Sequence, residues 1–212
     1  MMDKKIKKPT QKRSLEKYEK IIEAAFKLFN EKGYFNTTTT DIAKEANIAT
    51  GSVYTYFKDK KDIYIEVSNR ISKNIFEPTK SFWEENKKLD FKDIKNVKKI
   101  FNIFIKDMMN HHNFSKLFHD DMTALKLLDK DIALLDKENS KERIDRTKNI
   151  LNTLSIPFKN KETFDIFIHY CNVLIDDVCH QILYDNSIKN TDLYIEQAVE
   201  MLCTLLKNTA DI

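Results

Sequence analysis

An all-α fold is what this sequence predicts, and three features carry the prediction. Only two glycines and three prolines occur in 212 residues, whereas sheets joined by tight turns draw on both. Hydrophobic residues make up 42% of the chain and charged residues 33%, the balance of a globular protein and not of a disordered one. Apolar residues then recur at i, i+3 and i+4 in one segment after another, the rhythm of amphipathic helices. A chain of this length can bury a core in one or two domains, and the pattern supports about nine helices.

The first helix is predicted from Leu15 to Lys32, with Tyr18, Ile21, Ile22, Ala25, Phe26 and Phe29 on one face. Gly33 follows it, where a left-handed C′ residue is wanted and glycine meets no steric penalty. Tyr34 and Phe35 are expected to fold back as apolar contacts. A second helix is predicted after Thr37-Thr38-Thr39-Thr40, with Thr38 as N-cap, because its hydroxyl can accept a bond from the first turn. Asp41 sits in that turn, favoured by the helix dipole. Ile42, Ala43 and Ala46 give a short apolar face, Asn47 tolerates left-handed geometry, and Ile48 plugs the turn. Thr50-Gly51-Ser52-Val53-Tyr54-Thr55-Tyr56-Phe57 reads as a third short helix, with Val53 and Phe57 inward and Thr50, Ser52, Tyr54, Thr55 and Tyr56 on other faces.

Two short helices around a tight turn have the makings of a helix-turn-helix. Hydroxyls and backbone N–H groups can bond phosphates, and threonine methyls and tyrosine rings can meet thymine methyls. Gly51 would let the helix approach a groove closely. A plain helical bundle with a polar outer face shares part of this pattern. Charge points toward nucleic acid: through Asp62 there are 14 Lys+Arg against 9 Asp+Glu, a net of +5, whereas the rest of the chain nets −2. The excess sits mostly in Lys4, Lys5, Lys7, Lys8, Lys12 and Arg13, expected as a basic flexible arm over residues 1–13 suited to phosphate attraction.

The stretch Thr38…Asp41-Ile42-Ala43…Ala46-Asn47-Ile48…Gly51-Ser52-Val53-Tyr54-Thr55-Tyr56-Phe57…Lys60 resembles the signature of the TetR family. The preceding Ile22…Ala25…Leu28-Phe29…Gly33-Tyr34 and the following Asp62-Ile63 are in the same register. The resemblance covers roughly residues 14–74 and implies a helix-turn-helix DNA-binding domain there, with its motif at about 37–57. It implies an effector-binding and dimerisation domain over 75–212. Carried over, it assigns Thr38 and Tyr56 as phosphate contacts and Lys60 as a phosphate clamp. Thr50, Gly51, Ser52, Tyr54 and Thr55 become the groove-facing set. Three positions depart from the family pattern: Ala49 replaces the usual capping serine of the recognition helix, so Thr50 is an alternative cap. Asn47 replaces a common glycine, and Lys61 stands where an acidic residue is frequent.

Beyond Lys60 a long helix is expected through Ile63, Val67, Ile71 and Ile75, ended or kinked by Pro78, which cannot donate inside a helix. Further helices follow around Phe82 and Trp83, over Asp90–His112, after a break near Asn113 over Phe114–Leu128, and from Asp131 to Leu154. Phe164–Tyr184 is apolar on more than one side and needs covering on two faces. Tyr194, Ala198, Val199, Leu202, Leu205 and Leu206 give the last helix a bundle stripe. The family resemblance implies that these two helices, about 160–208, form a four-helix homodimer interface. Phe101, Phe104, Met108, Phe118 and Phe167 are the candidates to line a cavity for a small apolar effector.

His169, Asp176 and His180 share one helix face, a spacing open to metal ligation or to a bonded polar strip. The polar strip is the reading adopted, so no metal and no cofactor is expected. His111-His112 and His119-Asp120-Asp121 read as a helix end and a solvated face. Cys171, Cys179 and Cys203 lack metal spacing, and the first two are too far apart along one helix to bridge. They read as small buried hydrophobes in a reducing cytoplasm. No segment offers an apolar run of membrane-spanning length, and the polar N-terminus lacks a secretory pattern. No catalytic signature appears. The expectation is a cytoplasmic, dimeric, non-enzymatic transcriptional regulator whose partner is double-stranded operator DNA. The rival readings are a helical interaction protein for a partner helix or lipid, and a helical-bundle metalloenzyme.

Overall fold

The computed structural model describes residues 9–112, 114–154 and 156–212, with residue 76 described in its backbone only. Lys4, Lys5, Lys7 and Lys8 of the expected basic arm, and the expected break at Asn113, lie outside the described residues. Nine helices are found among the described residues: α1 (Lys12–Lys32), α2 (Thr39–Glu45), α3 (Thr50–Tyr56), α4 (Lys60–Asn86), α5 (Ile94–Asn110), α6 (Lys116–Leu128), α7 (Lys130–Thr153), α8 (Lys161–Tyr184) and α9 (Thr191–Thr209). The fold is all-α. An isolated antiparallel bridge between Phe158 and Ala210 is the extent of β pairing among these residues. Lys12 and Arg13, read as part of the arm, form the first turn of α1.

The chain divides into two compact units. The first contains the described residues through Lys73 together with Phe114–Leu135; the second contains Asn74–Asn113 and Asp136–Ile212. In the first unit α1 buries Tyr18, Ile21, Ile22, Ala24, Ala25, Leu28 and Phe29. Phe118 of α6 is fully buried there, its ring 5.3 Å from that of Phe29 and 6.3 Å from that of Tyr64. Burying one such side chain stabilises by about 1.5–3 kcal/mol, which explains why α6 joins helices so distant in sequence. Ser115 fixes its start, donating from its hydroxyl to the Asn30 carbonyl at 2.9 Å.

The second unit is built on α5, α8 and α9. Val97, Ile105, Phe167, Ile168, Cys179, Ile195 and Leu202 lie at its centre, and Trp83 packs its indole 5.0 Å from the Phe104 ring. All three cysteines are free and buried; burial pushes the Cys171 and Cys179 thiols up to about 12.

Pro78 neither ends α4 nor splits it, contrary to the sequence expectation, since the helix runs on to Asn86. Proline forfeits one backbone bond, to the Asn74 carbonyl, while Thr79 donates its hydroxyl to the Ile75 carbonyl at 2.8 Å. Burial of Trp83 one turn later favours continuing the helix. Among the described residues no helix is long and apolar enough to cross a membrane.

Candidate nucleic-acid interface

The interface is built from the end of α1 upward. Gly33 ends α1 with φ 83° and ψ 161°, outside the left-handed helical region expected from sequence and in a region open essentially to glycine. A Cβ there would also lie 2.5 Å from Oδ2 of Asp121. That carboxylate accepts from the Tyr34 N–H at 2.5 Å, so α6 holds the α1–α2 loop through a charge-assisted bond. Thr37 is buried and donates its hydroxyl to the Gly33 carbonyl at 2.7 Å.

Thr38 caps α2 as expected. Its hydroxyl accepts from the Asp41 N–H at 3.1 Å, while the Asp41 carboxylate accepts from the Thr38 N–H at 2.9 Å. This reciprocal box satisfies two amides that a helix start leaves unpaired. Lys32 lies 2.9 Å from the same carboxylate. Its hydrogen bond, then those from Thr38, hold the Asp41 carboxyl well below the usual carboxylate range. The turn between α2 and α3 passes through Asn47, whose φ of 53° is the left-handed geometry anticipated for it. The Ile48 N–H closes the turn on the Ala43 carbonyl at 3.0 Å.

Helix α3 begins at Thr50 with Ala49 in the N-cap position, and no side chain caps it. Thr50 is therefore inside the helix and does not take over the missing cap. Val53 and Phe57 point inward, both buried, and Phe57 stacks 5.0 Å from the Tyr18 ring of α1. That packing turns the opposite face of α3 outward: Gly51, Tyr54 and Thr55 are exposed, and Thr50, Ser52 and Tyr56 are half-buried. A Cβ built on Gly51 would meet nothing within 4 Å, so no contact inside the protein requires glycine there. The Tyr54 hydroxyl lies 2.8 Å from that of Thr39, and either can be the donor. Sequence reasoning missed Thr39, although the threonine run offered it.

Lys60 opens α4 and its ammonium donates to the carbonyls of Tyr34 and Thr37, each at 2.7 Å. It lies 4.1 Å above the centre of the Tyr34 ring, and partial burial lowers its pKa from the ordinary lysine value. Two of its three N–H groups thus fasten the α1–α2 loop. Lys61 is drawn to the other side, 3.1 Å from Asp129 and 2.7 Å from Asp131. Bidentate contacts of Arg70 with Glu19, at 2.5 and 2.9 Å, join α4 to α1.

Of the effector candidates, Phe101, Phe104, Met108 and Phe167 fall in or against the core of the second unit, whereas Phe118 is in the first. Four of the five therefore share one unit. His169 is exposed and lines an open depression of about 600 Å³ with Lys161, Glu162, Asp165, Ile166 and Tyr170.

A buried three-helix support presenting a short polar helix defines the helix-turn-helix class of protein. Over residues 21–67 this chain matches the family model described as "Bacterial regulatory proteins, tetR family". It is 54% identical over 48 residues to the HTH-type transcriptional regulator HbdR of Aromatoleum sp. (strain CIB), covering 23% of this chain and 21% of that one. Over 51 residues it is 45% identical to the fatty acid metabolism regulator protein of Bacillus subtilis (strain 168), covering 24% and 26%. The matched segment thus spans only about a fifth to a quarter of these relatives' length. A crystal structure of a TetR-family regulator from Mesorhizobium loti has the same fold, with a TM-score of 0.72 at 16% identity over 95% of this chain and 100% of that one.

Proposed function

We propose that this protein is a ligand-responsive transcriptional repressor that binds a near-palindromic operator in the cytoplasm as a homodimer. The observation that carries the DNA-binding part is the outward face of α3. It combines small and hydroxylated residues with a glycine whose absent side chain serves no contact within the protein. A short helix with this face suits the major groove, where Thr50, Gly51, Ser52, Tyr54 and Thr55 read base edges. Thr38, Tyr56 and the third N–H of Lys60 meet phosphates. Domain roles follow the family: residues 14–74 for DNA, and 75–212 for effector and dimer.

The dimer reading is supported by apolar side chains that the second unit leaves uncovered. Ile166, Tyr170 and Val173 on α8 are 40%, 56% and 53% exposed, and Met201 on α9 is 59% exposed. A second copy of α8 and α9 would cover them, and dimeric helix-turn-helix proteins read half-sites about 34–36 Å apart in successive major grooves. An effector among Phe101, Phe104, Met108 and Phe167 would weaken DNA binding in proportion to its preference for the non-binding state.

The test is a gel-shift titration against duplex DNA from upstream of the protein's own gene. Tyr54→Ala should change preference among operator variants, and a uniform loss across sequences would refute base reading by Tyr54. Lys60→Ala should weaken binding to all sequences and reduce the salt slope by roughly one unit. A weakened affinity with the slope unchanged would leave Lys60 only its loop-fastening role.

A further inference from the structure

The second unit brings three ligating side chains together from two helices. His112 follows the end of α5, while Asp176 and His180 lie one turn apart on α8, and their ligand atoms fall within 4.8 Å of one another. The sequence grouped the latter two with His169; the fold replaces His169 by His112. The rings of His112 and His180 are 5.4 Å apart and steeply inclined, at 82°, and Nδ1 of His180 is 3.7 Å from Oδ2 of Asp176.

Two supporting contacts orient this set. Nδ1 of His112 is 2.8 Å from the Met108 carbonyl. Only an N–H can bond a carbonyl, so the proton sits on Nδ1, and in the neutral ring the lone pair sits on Nε2. Fixing a ligating imidazole through its other nitrogen is how metal sites set tautomer and direction. Arg143 stands 3.6 Å from Oδ1 of Asp176, steadying the carboxylate while Oδ2 faces His180.

We propose that His112, Asp176 and His180 bind a divalent first-row transition ion, for which zinc is the fitting probe. Two imidazoles and one carboxylate are a borderline-soft donor set suited to such ions and not to calcium or magnesium. Tetrahedral bonds of about 2.0–2.1 Å place ligand atoms about 3.4 Å apart. The Asp176–His180 pair, at 3.7 Å, is close to that already, and His112 stands within 4.8 Å of both. The side chains of His180 and Asp176 are 27% and 42% exposed, which gives an ion access and leaves a fourth position for water or a small anion. A bound ion would pin the end of α5 to α8.

The experiment is a zinc titration of the purified full-length chain against a chromogenic chelator. One ion per chain is expected. His112→Gln and His180→Gln should each weaken binding by more than the roughly tenfold typical of disturbing a supporting contact, while His111→Gln retains it. Circular dichroism and metal-free thermal unfolding establish that each variant is folded. Cobalt substitution should give a visible spectrum without a thiolate charge-transfer band. The proposal is overturned if the folded wild type takes up no zinc, if His112→Gln and His180→Gln bind like wild type, if His111→Gln loses the ion, or if a thiolate band appears.

Discussion

Replacing Gly51 by alanine should move stability and DNA affinity in opposite directions. Glycine within a helix costs roughly 0.5–1 kcal/mol relative to alanine through backbone entropy. At Gly51 nothing offsets the gain, because an added Cβ meets no atom within 4 Å and the residue is exposed in the first turn of α3. Gly51→Ala should therefore stabilise by up to about 1 kcal/mol, raising Tm by about 2–4 °C for a chain of this size. On DNA the same methyl would stand between α3 and the groove. Loss of one or two hydrogen bonds at about 1 kcal/mol each corresponds to a Kd raised roughly tenfold. Differential scanning calorimetry reads the first quantity and fluorescence anisotropy on the upstream duplex the second. A higher Tm with unchanged Kd would remove Gly51 from the interface. A lower Tm would refute the propensity argument itself.

Three other substitutions probe separate links. Ala49→Ser restores a capping hydroxyl at the start of α3 and should stabilise by about 0.5–2 kcal/mol; an unchanged Tm would mean that a neighbouring group already satisfies that turn. Asp41→Asn should lower Tm at neutral pH, where the ionised carboxylate holds the α2 cap. Because the folded pKa is depressed, that contribution is fully present above the unfolded value of about 3.9 and is lost as pH falls below it. The gap between wild type and Asp41→Asn should accordingly narrow on acidification, and a pH-independent gap would contradict the carboxylate's role. Val173→Glu places a charge on the exposed apolar face of α8 and should shift sedimentation from dimer to monomer while the helical spectrum is kept; a persistent dimer would move the interface elsewhere.

Local rules made much of this fold legible. The spacing of Tyr18, Ile21, Ile22, Ala25 and Phe29 marked α1, the Thr38–Asp41 pair marked the start of α2, and Asn47 marked the turn. What escaped depends on residues far apart in sequence. Phe118 reads from sequence as a candidate for the effector cavity, and its packing against Phe29 and Tyr64 is visible only in the fold. Asp121 gives no local sign that it holds the Tyr34 amide. Lys60 was legible as a cation at a helix start, but its carbonyl partners follow from where the α1–α2 loop folds. His169 and His180 share a helix face by periodicity, yet His112 is the histidine that packs beside His180. Pro78 was weighed by its lost hydrogen bond alone, and the burial of Trp83 beyond it could not enter that balance.

The paired hydroxyls of Thr39 and Tyr54 have a consequence for tolerance of sequence. Either oxygen can donate to the other, so the direction of the pair can reverse without moving a heavy atom. In one orientation a proton is left to offer outward from Tyr54, in the other from Thr39. A base edge that presents an acceptor, or one that presents a donor, could thus be answered by the same two residues at little reorganisation. Such a reversible relay would leave the discrimination made at Tyr54 to its ring, which can meet a thymine methyl, and not to its hydroxyl.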